Sequence, residues 1–292
     1  MPLLIPIKYG RREYPENIVL RIQEIAAHFD VKGIRPGMPY SLHTEYSYGK
    51  RKYSSEPVKN YSIIRESNLK SVPQLWRSGE WSREFSEFVI SLVGEKRPPE
   101  IIEVHPPFVD YCDSIDQFLD LYGIFEKRIH QKFPDVKILI QNRYGTTYSG
   151  GRSLASTNED FIELSKAIKR RKLRLGIVLD FPQLFSAHGI DTYKTSEQEI
   201  RDLIKPVYEY RDMIEGMHIW GKRLSDSGRP IAHVGNLDTY FNNERMKRFF
   251  LRELYDLFDD GKPRFFVPEV NSGNNDVASI IKDFIEAGFD FV

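Results

Sequence analysis

Acids and imidazoles recur in this chain at one kind of place, the last residues of short apolar runs. His43 and Glu45 fall in SLHTE, Glu103 and His105 in IIEVHPP, and Gln141 and Asn142 in ILIQN. Asp180 and Gln183 follow in LDFPQ, His218 in GMHIWG, His233 in IAHVGN and Glu269 in VPEV. Imidazole and carboxylate side chains delivered by separate segments can hold Zn²⁺ or Mn²⁺. Asp180, His218 and Glu269 are the leading trio, because each closes an apolar run where a lone carboxylate would be costly to desolvate. The same two acids, Asp180 and Glu269, are the candidate catalytic groups, able to move a proton beside such an ion. Taken one at a time, each residue is better explained as an ordinary strand-end side chain satisfied by hydrogen bonds; the case rests on the three together.

The segments after these runs are basic and aromatic: EYSYGKRKYSS (45–55), NRYGTTYSGGRS (142–153) and WGKRLSDSGRP (220–230). Arg143, Lys222 and Arg223 could neutralise a phosphate, and Tyr144 and Trp220 could stack on a sugar or base. With the amides Asn142 and Gln183 they make the candidate substrate-binding set. Solvated loop cations would look the same. KAIKRRKLR (166–174) lies at a helix end and reads as a solvated face that compensates the helix dipole. No P-loop, dinucleotide fingerprint or Gly-x-Ser-x-Gly elbow occurs.

The elements that must position these groups alternate. The runs at 101–107, 136–145, 173–181, 214–221 and 264–270 predict strands buried on both faces. Amphipathic stretches at 114–133, 158–172, 242–260 and 275–288 predict helices, with Asp113, Thr157 and Asn275 as N-caps. Earlier, 3–9, 41–48 and 71–76 predict strands, and 15–29 and 81–94 predict helices. Eight strands alternating with helices close a (β/α)₈ barrel, for which 292 residues suit a single domain. In such a barrel the strand ends and following loops share one rim. Equal counts of 42 basic and 42 acidic residues give no global pull toward nucleic acid or a membrane. The single Cys112 excludes an internal disulfide and a cysteine-rich zinc site. No run approaches a membrane span, and no signal peptide is legible, which points to the cytoplasm.

From IIEVHPP to VPEVNSG, and back to SLHTEYS, the order of these segments resembles the xylose-isomerase-like barrels, especially the family 2 apurinic/apyrimidinic endonucleases. In that superfamily a strand ends Glu-Asn and the next reads Leu-Asp-x-x-His. A Gly-x-His strand, a loop His and a final strand ending in Glu follow. The counterparts here are Gln141-Asn142, Asp180 with Gln183, His218, His233 and Glu269, all implied metal positions except the amides Asn142 and Gln183. The resemblance also implies an additional metal at His43 and His105. Three positions depart: amides stand at Gln141 and Gln183, and Ile231 stands where an aspartate belongs. A three-metal site is therefore not expected. One divalent site remains from Asp180, His218 and Glu269, with Gln141 as a neutral oxygen ligand.

Three functions follow from these residues. One is a metal-dependent hydrolase of a phosphodiester or sugar phosphate. The second is a single-metal sugar isomerase or epimerase with Glu269 as base, although Gln141 removes the opposite carboxylate that a two-base epimerase needs. The third is a non-catalytic barrel holding a phosphorylated or nucleic-acid ligand.

Overall fold

The computed structural model describes residues 1–45, 56–69, 72–145 and 151–292. Eight principal strands are present: β1 (Leu3–Lys8), β2 (Ile22–Ala27), β3 (Tyr40–Thr44), β4 (Ile101–Val104), β5 (Lys137–Gln141), β6 (Leu175–Asp180), β7 (Ile214–Ile219) and β8 (Arg264–Pro268). They pair in chain order, and β8 pairs again with β1. β1 pairs in parallel with β2 and with β8, as do β3 with β4, β4 with β5, and β7 with β8. This is the strand order of a single (β/α)₈ barrel. The helices between and after the later strands, with the one before β4, are α1 (Gly79–Val93), α2 (Ile115–Lys132), α3 (Asn158–Arg171), α4 (Phe181–Ala187), α5 (Glu197–Ile204), α6 (Leu237–Phe241), α7 (Glu244–Phe258) and α8 (Asn274–Glu286).

Two early expectations are corrected. The stretch 15–29 is not a helix: it turns at Pro15–Ile18 and then becomes β2. Ile7 pairs with Ile22 and Lys8 with Gln23, and this pairing overrides a sequence whose apolar spacing also suits a helix. The stretch 71–76 supplies no barrel strand, only Val72–Pro73 in a short antiparallel pair with Asn68–Leu69. The caps move too. Ser114, not Asp113, accepts from the Gln117 N–H at the start of α2. Gly273 precedes α8 with no side-chain cap, so Asn275 lies inside the helix. Thr157 caps α3 as expected, in a reciprocal box with Asp160.

The chain forms two compact units, Met1–Gln23 with Val178–Val292 and, separately, Glu24–Ile177. The contiguous unit is built on an aromatic core. Trp76 lies 5.4–6.1 Å, ring centre to ring centre, from Trp81, Phe85, Phe118, Tyr122 and Phe125. Its backbone is left-handed at φ 59°, a conformation a bulky residue rarely adopts. Cys112 is buried in this unit, and burial pushes its thiol up to about 11. Two cations of the basic run at the end of α3 are paired: Arg170 and Arg171 contact Asp116, and Arg171 also contacts Asp120.

The discontinuous unit packs Phe181, Phe185, Phe241 and Phe250 edge to face between α4, α6 and α7. The fully buried Arg264 at the start of β8 donates to both Asp260 oxygens at 2.7 Å and to the Ile214, Arg211 and Lys262 carbonyls. Among the described residues, no helix is long and apolar enough to cross a membrane.

Candidate metal centre

In the discontinuous unit, three strands deliver the leading trio. Asp180 is the last residue of β6 and also the N-cap of α4, its Oδ1 accepting the Gln183 N–H at 2.9 Å. His218 is the fifth residue of β7 and is fully buried. Glu269 follows β8 directly. The register places Val267 opposite His218, and the Glu269 N–H then donates to the Ile219 carbonyl at 2.9 Å. One donor atom from each of Asp180, His218 and Glu269 lies within 4.8 Å of the others, and all three residues are buried. The His218 Nδ1 and the Glu269 carboxylate are 3.2 Å apart.

Burial pushes the Asp180 carboxyl up to about 6, and the neighbouring Glu269 charge adds to the rise. His218 and hydrogen bonds from Trp220 and Gln183 oppose it. Two buried acids thus share one imidazole, an arrangement that a divalent cation would neutralise. A four-coordinate ion with bonds near 2.1 Å separates its ligand atoms by roughly 3.4 Å, a spacing that the His218–Glu269 pair already approaches. Two carboxylates and an imidazole fit Zn²⁺ or Mn²⁺.

The surroundings of the trio are aromatic. The Trp220 indole N–H points at Asp180, 3.1 and 3.0 Å from its two oxygens, and the ring is 5% exposed. Trp220, expected to stack on a ligand, is here the hydrogen-bonding neighbour of a candidate ligand residue. His233 lies 4.4 Å from the Trp220 ring, centre to centre, with its Nδ1 3.1 Å from the Glu269 carbonyl oxygen. It adopts φ 59°, and its own carbonyl accepts the Asn271 N–H at 2.7 Å. The Gln183 side chain is half-buried. Arg223 donates to both oxygens of Asp276 at 2.9 and 3.1 Å. Lys222 sits against Tyr193 and Tyr240.

The segment after Glu269 is gripped from the N-terminal side. The Arg12 guanidinium donates to the Val270 carbonyl at 3.0 Å and the Asn271 carbonyl at 2.6 Å, and the Tyr9 hydroxyl donates to the Asn271 side chain. Neither residue stood out from its type or spacing.

The contiguous unit gathers a second group. His43 on β3 and His105 after β4 stack with ring centres 5.0 Å apart and Nε2 atoms at 3.3 Å. The His105 Nε2 is 2.7 Å from the Gln141 Oε1. The His43 Nδ1 is 3.2 Å from Glu24 on β2, a residue the helical spacing of 15–29 does not single out. The Trp76 indole donates to the His105 carbonyl at 2.6 Å, another partner not visible in the sequence. Asn142 is buried, the Arg143 N–H donates to the Ala155 carbonyl at 3.0 Å, and Tyr144 is exposed. Of the basic loops, 46–55 and 146–150 lie outside the described residues.

No protein-family model matches the chain, and no curated protein matches it. Among solved structures it is similar to a xylose isomerase domain protein from Planctomyces limnophilus. That alignment has 11% identity, covers 98% of this chain and 94% of that chain, and has a TM-score of 0.43. It is also similar to the Ignisphaera aggregans GH53 catalytic domain, with 12% identity, 85% and 73% coverage and a TM-score of 0.41. A thermostable mutant of the Cellvibrio japonicus xylanase Xyn10A aligns at 9% identity, with 86% and 78% coverage and a TM-score of 0.44.

Proposed function

We propose that the protein is a metal-dependent hydrolase of a phosphodiester or sugar phosphate, with one divalent ion held by Asp180, His218 and Glu269. The observation that carries this reading is the burial of two carboxylates around one imidazole, with Asp180 protonating far more readily than an ordinary aspartate. A bound ion would supply Lewis acidity toward a phosphoryl oxygen and make a water molecule more acidic. Asp180 is poised as a fixed ligand, since Trp220 and the Gln183 N–H hold its carboxylate in place. Glu269, braced through its own N–H, is the candidate to take the proton from water. A phosphorylated sugar or a nucleic-acid backbone is the proposed ligand class.

The experiment is elemental analysis of the protein refolded with Mn²⁺ or Zn²⁺, followed by turnover of bis(p-nitrophenyl) phosphate and p-nitrophenyl phosphate. One equivalent of metal, lost with its turnover in Asp180→Asn, is the expected result. A metal-replete protein that carries no ion overturns the proposal. Turnover of an aldose or ketose without phosphate-ester hydrolysis overturns the hydrolase reading and supports the isomerase.

A further inference from the structure

The hairpin that follows β7, Lys222–Leu224 paired with Pro230–Ala232, carries two adjacent cations in opposite circumstances. Arg223 is committed to Asp276, which the Ser272 hydroxyl also contacts. The Lys222 ammonium lies over two ring faces, 4.6 Å from the centre of Tyr193 and 5.3 Å from that of Tyr240. Among the described residues it makes no hydrogen bond or ion pair, and the Asp191 carboxylate favours its charged form. Ring faces attract the charge. They accept no conventional hydrogen bond, so the ammonium keeps donors for an incoming anion.

The position is preformed. Gly221, just before Lys222, packs so closely that a Cβ there would lie 2.3–2.5 Å from the backbone of Gly235 and Asn236, and the Val234 N–H donates to the Gly221 carbonyl. The Tyr240 ring meets the Trp220 ring edge to face at 6.0 Å, and Trp220 donates to Asp180. Two aromatic side chains therefore connect the Lys222 amine to the candidate metal ligands.

We infer that Lys222 binds a phosphate monoester group of the substrate, at the end remote from the atoms that react near Asp180, His218 and Glu269. The compact ammonium point charge suits a dianion with three oxygens, and the desolvating tyrosines strengthen the attraction. The inference rests on the proposed hydrolase reading for what the rest of the ligand does. The anion site itself is measured without metal.

The test is calorimetric titration of the full chain in EDTA with glycerol 3-phosphate and, separately, glycerate, alongside a Mn²⁺ titration in metal-free buffer. Lys222→Met keeps an unbranched stem between the rings, and Lys222→Gln gives the same reading should the methionine variant not fold. Wild type is expected to bind glycerol 3-phosphate. Removing the charge should weaken binding about 10- to 100-fold, the scale of a charge-assisted hydrogen bond. Asp180→Asn should lose Mn²⁺ and keep glycerol 3-phosphate. Equal affinities in wild type and Lys222→Met, or no binding by wild type, overturn the Lys222 site even if Mn²⁺ binds. Equally tight glycerate binding with the same Lys222 dependence overturns the phosphate assignment. Absent Mn²⁺ binding with Lys222-dependent phosphate binding sinks the metal reading and leaves the anion site standing.

Discussion

Neutralising Asp180 should stabilise the metal-free protein, and more so as pH rises. Its carboxyl is raised from 3.8 to about 6 in the folded state. At about 1.4 kcal/mol per unit, ionising it in place costs roughly 3 kcal/mol. The sign follows from which state holds the proton. Below about pH 4 both states are protonated and nothing is lost. Between about pH 4 and 6 the unfolded chain ionises first, so the folded protein loses stability; above about 6 the loss levels off. Asp180→Asn removes this dependence but turns an amide NH₂ toward the Trp220 N–H, a cost of about 1–2 kcal/mol that does not vary with pH. The difference between variant and wild type isolates the ionisation: it should grow by about 2 kcal/mol between pH 4.5 and 7.5. Urea denaturation in EDTA at the two pH values reads it directly. Adding Mn²⁺ at about a hundredfold excess over its Kd should restore about 2.7 kcal/mol to wild type at pH 7.5 and nothing to the variant. A gap that stays constant or narrows with pH would refute the claim that Asp180 is ionised against its surroundings.

Other perturbations test the supporting structure. Trp220→Phe removes a hydrogen bond that lowers the Asp180 pKa, so Mn²⁺ binding should shift to higher pH; an unshifted pH profile would remove Trp220 from the site. Arg264→Met removes the buried guanidinium that donates to Asp260 and three carbonyls and should cost about 3–5 kcal/mol in chemical denaturation. A loss below about 1 kcal/mol would contradict its place in the buried network. Thr157→Ala breaks the α3 capping box and should cost about 1 kcal/mol, read in the same assay.

The later strands were legible because parallel strands buried on both faces read as continuous apolar runs, as in 175–180 and 214–219. Asp180, His218 and Glu269 were legible for the same reason, since a charge that ends such a run stands out. The early part was not. Ile18, Ile22, Ile25 and Phe29 recur at helical spacing, and only the pairing with β1 makes 22–27 a strand. Losing β2 hid Glu24 beside His43. The run 71–76 suits a strand, yet Trp76 occupies a left-handed position within an aromatic core that no local pattern encodes. The two displaced caps lie one and two residues from Asp113 and Asn275, because neighbouring Asp, Ser, Asn and Gly compete for the same position.

The grip of Arg12 on Val270 and Asn271 joins segments about 258 residues apart, and β1 finds its β8 partners Arg264–Phe266 across a similar distance. On a ribosome, the unit spanning Glu24–Ile177 is finished as one uninterrupted stretch, whereas β1 must wait for the last strand to emerge. Long-range parallel pairing of this kind is slow. The Asp180, His218 and Glu269 cluster is therefore complete only once Glu269 has been translated, so any ion it holds would be captured late.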